Sequence, residues 1–258
     1  MRGLLKIRRR LPLLIAVPTT AGTGSETTLA AVITDSETHF KYAINDFCLI
    51  PRYAMLDESL SLGLPPNLTA ATGTDALTHG AEAYIGGSTT PHTRAMAEEA
   101  VTLIRRYLPQ ACAQMLRAAY CAGVAFTQSY MGYVHRIAHS LGGQYGIPRG
   151  LANAVILSYV LKAYGERCYP CLGLLARRCG IAEGQASDKT AALAFIARVE
   201  EMNRAMGLPS KLAGIRREDI PTLSARGDRE SNPFYPVPRL MDRRELAAVY
   251  LQLMEVPV

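Results

Sequence analysis

The feature that most constrains the fold is a change in residue pattern at Leu64-Pro65-Pro66. Before it, short apolar runs are separated by Gly, Pro, Asn and Asp, which is typical of strands and turns. After it, Ala, Leu, Met, Glu and Arg predominate at helical spacing, with few β-branched runs. We therefore predict an α+β, predominantly helical chain, with a small β segment over residues 1–62 and a helical domain over residues 63–258.

The pattern also predicts individual elements. Strands are predicted at Leu13–Val17, Leu29–Thr34, Phe40–Ile44 and Tyr53–Leu56. Thr74 is expected to cap a helix that runs to about Ile85, and helical spacing from Met115 to Leu141 is expected to stop at Gly142-Gly143. A loop is expected over residues 227–238. Further helices are predicted from Thr90 or Pro91 to Tyr107 and at residues 151–163, 188–206 and 243–255.

Composition and charge exclude several classes of protein. With 49% hydrophobic and 19% charged residues, the chain has the make-up of a soluble globular protein. Its net charge of +6 is spread along the sequence apart from one cluster within residues 2–10, and no nucleic-acid-binding motif follows, so we expect no nucleic-acid partner. No apolar stretch approaches the roughly 20 residues that span a bilayer, so we expect no membrane segment.

Cysteine usage and the opening residues favour a cytoplasmic protein. Six cysteines occur in a chain too large to need disulfides, which is typical of a reducing compartment. Cys168 and Cys171 form a CxxC that contains a proline and has no second pair at zinc-ribbon spacing, which favours ordinary thiols over a metal or redox site. The first residues resemble a signal peptide, but the apolar run Leu11–Val17 is short and no small-residue cleavage site follows, so secretion is disfavoured.

Two segments place polar side chains one helical turn apart. In GTDALTH, Asp75 and His79 project from the same face of a helix, and in GYVHRIAH so do His135 and His139. The alternative for the first pair is a capping aspartate and a hydrogen-bonded histidine on an amphipathic helix. Together the two segments supply three candidate metal ligands of mixed nitrogen and oxygen type, which suits iron(II) or zinc better than magnesium or calcium.

The segment PTTAGTGSE, residues 18–26, directly follows the first predicted strand. Its glycines permit close approach of the backbone, and its hydroxyl groups are suited to a phosphate or ribose. The GxGxxG fingerprint is not met, because Thr27 stands where the third glycine would be and no acidic residue follows at the expected distance. An ordinary turn is therefore the alternative interpretation.

Three motifs follow one another along the chain: PTTAGTGSE, LP followed by GTDALTH, and GYVHRIAHSLGGQYGIPRGLANA. In this order they resemble the iron-containing alcohol dehydrogenase family, which is related in fold to dehydroquinate synthase and glycerol dehydrogenase. The resemblance covers essentially the whole chain from Leu13 onward. It implies that residues 1–62 are a remnant of a Rossmann-like cofactor domain and residues 63–258 a helical metal-binding catalytic domain. It also implies a homodimer.

The resemblance implies roles for single residues. Asp75, His79 and His135 correspond to ligands of the catalytic metal, and His139 corresponds to a histidine near the nicotinamide. In such enzymes the metal lowers the pKa of a small alcohol, and hydride passes to NAD or NADP as the aldehyde or ketone forms. The residues that correspond to cofactor contacts are Thr19, Thr20, Gly22, Thr23, Gly24, Ser25 and Lys41.

The sequence departs from the family pattern in three places. Arg149 stands where the family has a fourth ligand, a histidine, and arginine stays protonated and offers no lone pair. We expect Arg149 either to displace the ion and pair with Asp75, or to turn toward solvent and leave a three-ligand site. The family's glycine-rich pyrophosphate loop has no counterpart before Leu13, and a connection near Ala113 to Met115 is shortened.

Three functions stay open at this point. The first is the oxidoreductase, impaired by these departures or completed by a partner chain, and the second is a catalytically silent binding or oligomerisation module. The third, a metal-dependent lyase or synthase of the dehydroquinate type, fits PTTAGTGSE and GYVH less well. The sequence identifies neither the alcohol nor the choice between NAD and NADP. Glu82, His39 and His92 are further polar candidates, as surface residues or as neighbours of ligands.

Overall fold

Short strands occupy the amino-terminal part of the molecule. The computed structural model describes residues 3–37, 41–108, 114–233 and 235–255. The strands are β1 (Gly3–Leu4), β2 (Ile15–Ala16), β3 (Ala30–Thr34), β4 (Lys41–Asn45) and β5 (Tyr53–Ala54). In a three-stranded sheet β4 lies between β1, to which it is parallel, and β3, to which it is antiparallel with Val32 opposite Ala43. β2 and β5 form a separate parallel pair. Each predicted strand overlaps an observed one, although Phe40 lies outside the described residues.

Helices form the rest of the described chain, which confirms the predominantly helical α+β class. They are α1 (Pro66–Ile85), α2 (Pro91–Tyr107), α3 (Gln114–Ser129), α4 (Tyr133–Tyr145), α5 (Arg149–Tyr164), α6 (Tyr169–Arg178), α7 (Asp188–Ala205), α8 (Ile220–Ser231) and α9 (Arg243–Leu253). Within the described ranges, no helix is long and apolar enough to cross a membrane. The division into two domains near residue 62 stays a prediction.

The first helix begins two turns earlier than predicted. Pro66 occupies its first turn, where the missing N–H costs no intrahelical bond. Thr74, the predicted cap, lies inside the helix, fully buried, and its hydroxyl donates to the carbonyl of Ala70 at 2.9 Å. Because a threonine can satisfy its own hydroxyl in this way, burial in a helix interior is tolerated. The prediction of the end at Ile85 is confirmed.

The predicted helix over Met115 to Leu141 is wrong as a single element. The chain breaks between α3 and α4, where Tyr130 adopts a left-handed φ of 65°. The predicted stop at Gly142-Gly143 is also wrong, because α4 continues to Tyr145 and ends at Gly146 with φ 69°. A left-handed residue at this position is the common way to end a helix and favours glycine.

Two helices were not predicted, and one predicted loop is partly helical. α6 contains the CxxC, and α8 extends into the expected loop at residues 227–238 as far as Ser231. α2 begins at Pro91 behind the Thr90 cap and ends at Tyr107, as predicted. The helices predicted at residues 151–163, 188–206 and 243–255 are confirmed within two residues at each end.

The hydrophobic core lies among the helices, with α1 packed against α2, α3 and α5. Nearly every residue of α1 from Gly73 onward is buried, because alanines and glycines let the neighbouring helices approach closely. An added methyl group on Gly80, for example, would lie 3.3 Å from Val101 of α2. The buried α1 therefore brings its polar side chains into the interior of the helical bundle, where they require partners.

Candidate metal centre and cofactor cavity

Three buried side chains from two helices meet at one point. Asp75 and His79 lie one turn apart on α1, and His135 lies near the start of α4. One ligand atom from each of the three side chains lies within 4.8 Å of the others. The Nε2 atoms of His79 and His135 are each 4.0 Å from Oδ1 of Asp75, and neither nitrogen has a hydrogen-bond partner among the described residues. Buried nitrogens without partners around a carboxylate fit the donor set of a divalent metal such as iron(II) or zinc.

Glu82 of α1 holds His135 in place. Its Oε2 lies 2.6 Å from Nδ1 of His135, and its two oxygens also accept the backbone N–H groups of Gly132 at 3.0 Å and Val134 at 2.8 Å. Because a carboxylate only accepts, Nδ1 carries the proton and the Nε2 lone pair faces the cluster. Glu82 thus caps α4 and fixes the tautomer of its histidine with one buried side chain.

The imidazole of His79 is held neutral. Burial above all, with the charges of His135 and Arg149, lowers the pKa of His79 to about 3 against the opposing effect of Asp75. Its ring stacks between Phe126 of α3 at 4.5 Å and His135 at 4.6 Å between ring centroids. The neutral imidazole is the form that binds metals, and the stacked rings keep water from its faces.

Both oxygens of Asp75 accept hydrogen bonds from α5. Nδ2 of Asn153 donates to Oδ1 at 2.6 Å, and Nη2 of Arg149 donates to Oδ2 at 3.0 Å. Burial on its own raises the pKa of Asp75, but the charges of His79, Arg149 and His135 and the Asn153 bond outweigh it, so the pKa lies below its usual range. The guanidinium of Arg149 stays charged over the whole pH range in which proteins are folded, so its contact with Asp75 is a permanent ion pair. Of the two expected arrangements of Arg149, the structure has the pair with Asp75.

A cavity of about 470 Å³ adjoins this cluster. His139 lies on its wall, with its ring edge-on to that of His135 at 6.5 Å between centroids. Of the predicted cofactor contacts, Thr23 and Ser25 also lie on this wall. Side chains from the strands, the threonine-rich turn and the helices therefore enclose one space beside the metal ligands, which is the arrangement expected of a substrate and cofactor site.

The glycines of the turn pack against helices. An added methyl on Gly22 would lie 2.5 Å from Cβ of Thr72 on α1, and one on Gly24 would lie 2.7 Å from Cα of Gly123 on α3. Gly24 also has a left-handed φ of 59°. These glycines let the turn reach the helices. Thr19 and Thr20 do not line the 470 Å³ cavity, so the structure brings only part of the predicted set together there.

The remaining candidates lie away from the cluster or outside the described atoms. His92 is exposed at the start of α2, and His39 and the side chain of Lys41 lie outside the described residues. Cys168 is buried, free and hydrogen-bonded to carbonyl oxygens, and burial raises the pKa of its thiol to about 11. Such a thiol is inert, as the sequence indicated.

Comparison with known proteins decides the family. Residues 69–254 match the C-terminal part of the Fe-containing alcohol dehydrogenase family, and residues 2–58 match the iron-containing alcohol dehydrogenase family. The chain belongs to the iron-containing alcohol dehydrogenase family. The resemblance that the motifs indicated is thereby confirmed, and it extends to residue 2, beyond its expected limit at Leu13.

Several members of the iron-containing alcohol dehydrogenase family are closely similar. A 1-propanol dehydrogenase of Salmonella typhimurium is 40% identical over 82% of this chain and 60% of its own length. An NAD-dependent methanol dehydrogenase of Bacillus methanolicus is 38% identical over 86% of this chain and 61% of its own. The crystal structure of a 1,3-propanediol oxidoreductase superposes with a TM-score of 0.91 at 36% identity, covering 98% of this chain and 69% of that one. The chain thus spans about three fifths of the length of these two curated relatives.

Three functional neighbours escaped assignment from the sequence of this family member. Phe126 had no signal, since one aromatic residue on a predicted helix is usually core. Asn153 follows Arg149 by four residues, a spacing that places both on one face of α5. That spacing could have been used to find it. The sequence indicated Glu82 as a polar candidate but not the groups that it contacts, because those groups lie fifty residues away and meet Glu82 only through tertiary packing.

Proposed function

We propose that this chain catalyses the NAD(P)- and metal-dependent interconversion of a small primary or secondary alcohol and its aldehyde or ketone. The observation that supports this most is the convergence of buried Asp75, His79 and His135 beside the cavity. The donor set fits iron(II) or zinc, with these three side chains as the ligands. Such a metal supplies a Lewis acid that lowers the pKa of the alcohol when it is bound.

The protein's own residues prepare the site for that chemistry. Glu82 orients His135, and Phe126 shelters the ring of His79 from water. We assign His139 the role of accepting or relaying the proton of the alcohol, since its ring lies on the cavity wall next to the cluster. The mostly apolar lining of the cavity strengthens each electrostatic contact with the reacting atoms.

We assign the cofactor to the part of the cavity beside the threonine-rich turn. Thr23 and Ser25 offer hydroxyl groups to the cavity, and the matched methanol dehydrogenase is NAD-dependent. We include Thr19, Thr20 and Lys41 as contacts of the parts of the dinucleotide outside the cavity. The two-domain division near residue 62, a homodimeric state and a cytoplasmic location belong to the same proposal.

A second candidate function is a silent binding or oligomerisation module. It is favoured by the many exposed apolar side chains of the strand region, among them Leu13, Phe47 and Leu62 at 67 to 68% exposure. Many exposed apolar side chains in one part of a protein are typical of an interaction surface when they are contiguous. This function requires no metal and no dinucleotide, which separates it from the first.

Oxidation of a panel of short-chain alcohols tests the proposal. NAD or NADP is supplied with added iron(II) or Zn²⁺, and reduction of the nicotinamide is followed by its absorbance. We expect a rate that His135→Ala abolishes and that His92→Ala, at an exposed position on α2, leaves unchanged. Failure to bind either metal or dinucleotide in calorimetry would instead support the silent module.

A further inference from the structure

The carboxylate of Asp75 is shared between a metal-ligand cluster and a permanent cation. Its Oδ1 faces the Nε2 atoms of His79 and His135 at 4.0 Å each, and its Oδ2 accepts Nη2 of Arg149 at 3.0 Å. The side chain of Asp75 is 2% exposed. Asp75 is the single anionic member of the three-residue cluster, so its charge is what would attract a cation there.

An ion held by these three side chains would lie a few ångströms from the Arg149 guanidinium. Arginine does not lose its charge at any pH at which the protein is folded. Like charges repel strongly where water is excluded, as it is around this buried cluster. Arg149 is also the first residue of α5, whose amino end adds partial positive charge. Two cations therefore compete for one carboxylate.

The cavity offers the side chain of Arg149 a second position. Its side chain is 31% exposed, and it lines the 470 Å³ cavity, whereas Asn153 one turn later is fully buried and donates to the other oxygen of Asp75. The guanidinium can withdraw into the cavity while Asn153 keeps the carboxylate in position. Movement of a single side chain at the end of a helix requires no change in α5 itself.

We propose that Arg149 is an internal competitor for the metal, so that the cluster takes up a divalent ion only as the guanidinium leaves Asp75 and moves into the cavity. This inference rests on the proposed function, because it concerns the same three ligands. It makes Arg149 a residue that sets metal affinity, and it predicts that metal uptake also changes the charge in the space where substrate binds.

Titration of metal-free protein with Zn²⁺ against a chromogenic chelator tests the inference. Arg149→Gln removes the charge and adds neither an imidazole nor a carboxylate, and we expect its Kd for Zn²⁺ to fall about 10- to 100-fold, the scale of changes around metal ligands. Arg149→Lys keeps a charge and should bind Zn²⁺ about as weakly as the native chain. Arg117→Gln is the matched control, because Arg117 of α3 pairs with Glu99 of α2 at 2.5 Å, away from the cluster. We expect this substitution to leave the Kd for Zn²⁺ unchanged.

The outcomes separate this inference from the proposed function. Equal Kd values for the native chain and Arg149→Gln would overturn the competition and leave the metal site intact. Absence of Zn²⁺ binding in every variant would overturn both. If Arg149→Gln does not fold without metal because Asp75 is left unpaired, its refolding is followed against Zn²⁺ concentration. Recovery at Zn²⁺ concentrations below the native Kd supports the competition, and no recovery refutes it.

Discussion

The strand region and the helical region of this molecule bury their side chains very differently. Most of the large hydrophobic side chains that are exposed belong to residues 5–68. The buried hydrophobic side chains belong to residues 70–253, with Ala21 as the exception among the described residues. Small sheets need a buried hydrophobic face to be stable by themselves, and the described strands contribute none of the buried hydrophobic side chains, so the strand region depends on what it packs against. The helical region has its own core.

The two regions also differ in their buried polar groups. The helical region encloses Asp75, His79, Glu82 and His135, which largely satisfy or face one another. The strand region contributes mainly one turn, where Gly22 and Gly24 bring Thr23 and Ser25 to the cavity wall. The difference indicates that the helices build the chemical centre by themselves, whereas the cavity beside it needs both regions.

The largest effect should follow from removing Glu82. Glu82→Ala leaves the N–H groups of Gly132 and Val134 and the ring of His135 without their buried acceptor. We expect the free energy of unfolding to fall by about 3 to 5 kcal/mol, because each buried donor that loses its acceptor costs about 1 to 3 kcal/mol. Chemical denaturation followed by circular dichroism measures it.

The control for this change is Glu201→Ala on α7, where the carboxylate is 61% exposed and pairs with Arg198 three residues earlier. An exposed pair of this kind contributes about 0.5 kcal/mol or less. If Glu82→Ala lowered the free energy of unfolding no more than the control does, the buried polar groups of the helical region would not depend on this carboxylate.

A matched pair of leucines measures the difference between the regions directly. Leu157 of α5 is fully buried, whereas Leu62 of the strand region is 67% exposed. Leu157→Ala should cost about 2 to 5 kcal/mol because it leaves a cavity in the core. Leu62→Ala should change the stability by less than about 0.5 kcal/mol.

Both leucine variants are compared by the same denaturation midpoint and slope. A cost of several kcal/mol for Leu62→Ala would mean that this side chain is covered in solution. In that case the exposed face of the strand region would be an interface, and light scattering of both variants would show whether a second copy of the chain covers it.

Much of the site could be predicted because its spacing is local. Asp75 and His79 are four residues apart on one helix, and this periodicity places them on one face whatever the tertiary fold. That His135 joins them depends on packing between α1 and α4, and only the family resemblance supplied it. The pairing of Arg149 with Asp75 was one of two arrangements left open, since charge alone does not decide the direction of a long side chain.

Two helix boundaries, the start of α1 and the break before α4, could not be predicted from the sequence, for physical reasons. Thr74 has the side chain of a good cap, but in a long buried helix its hydroxyl bonds to the carbonyl of Ala70. The break at Tyr130 is marked only by Gly132 two residues later, and a single glycine is tolerated inside a helical pattern. The amide groups after Tyr130 are held by Glu82 from a distant part of the chain. Tertiary contacts of this kind have no local sequence signal.

The smallest expected effect tests the one buried acidic residue of the turn. Glu26 is 4% exposed, its Oε2 has no hydrogen-bond partner in the described part of the chain, and burial raises its pKa. A carboxyl whose pKa is raised by folding stabilises the protein at pH values below its unfolded pKa, and this contribution is lost as the pH rises through the folded pKa. Glu26→Gln keeps the shape and removes the titration.

We therefore expect Glu26→Gln to be more stable than the native chain at pH 8, and the gap to close toward pH 4. Thermal unfolding of both proteins across that range measures the difference, with Glu183→Gln at an exposed position as the control. A constant gap at all pH values would show that the carboxyl does not titrate with folding. It would follow that the turn does not bury Glu26 against the helices in solution. The contact between the strand region and the helical core would then be weaker than the burial of this turn indicates.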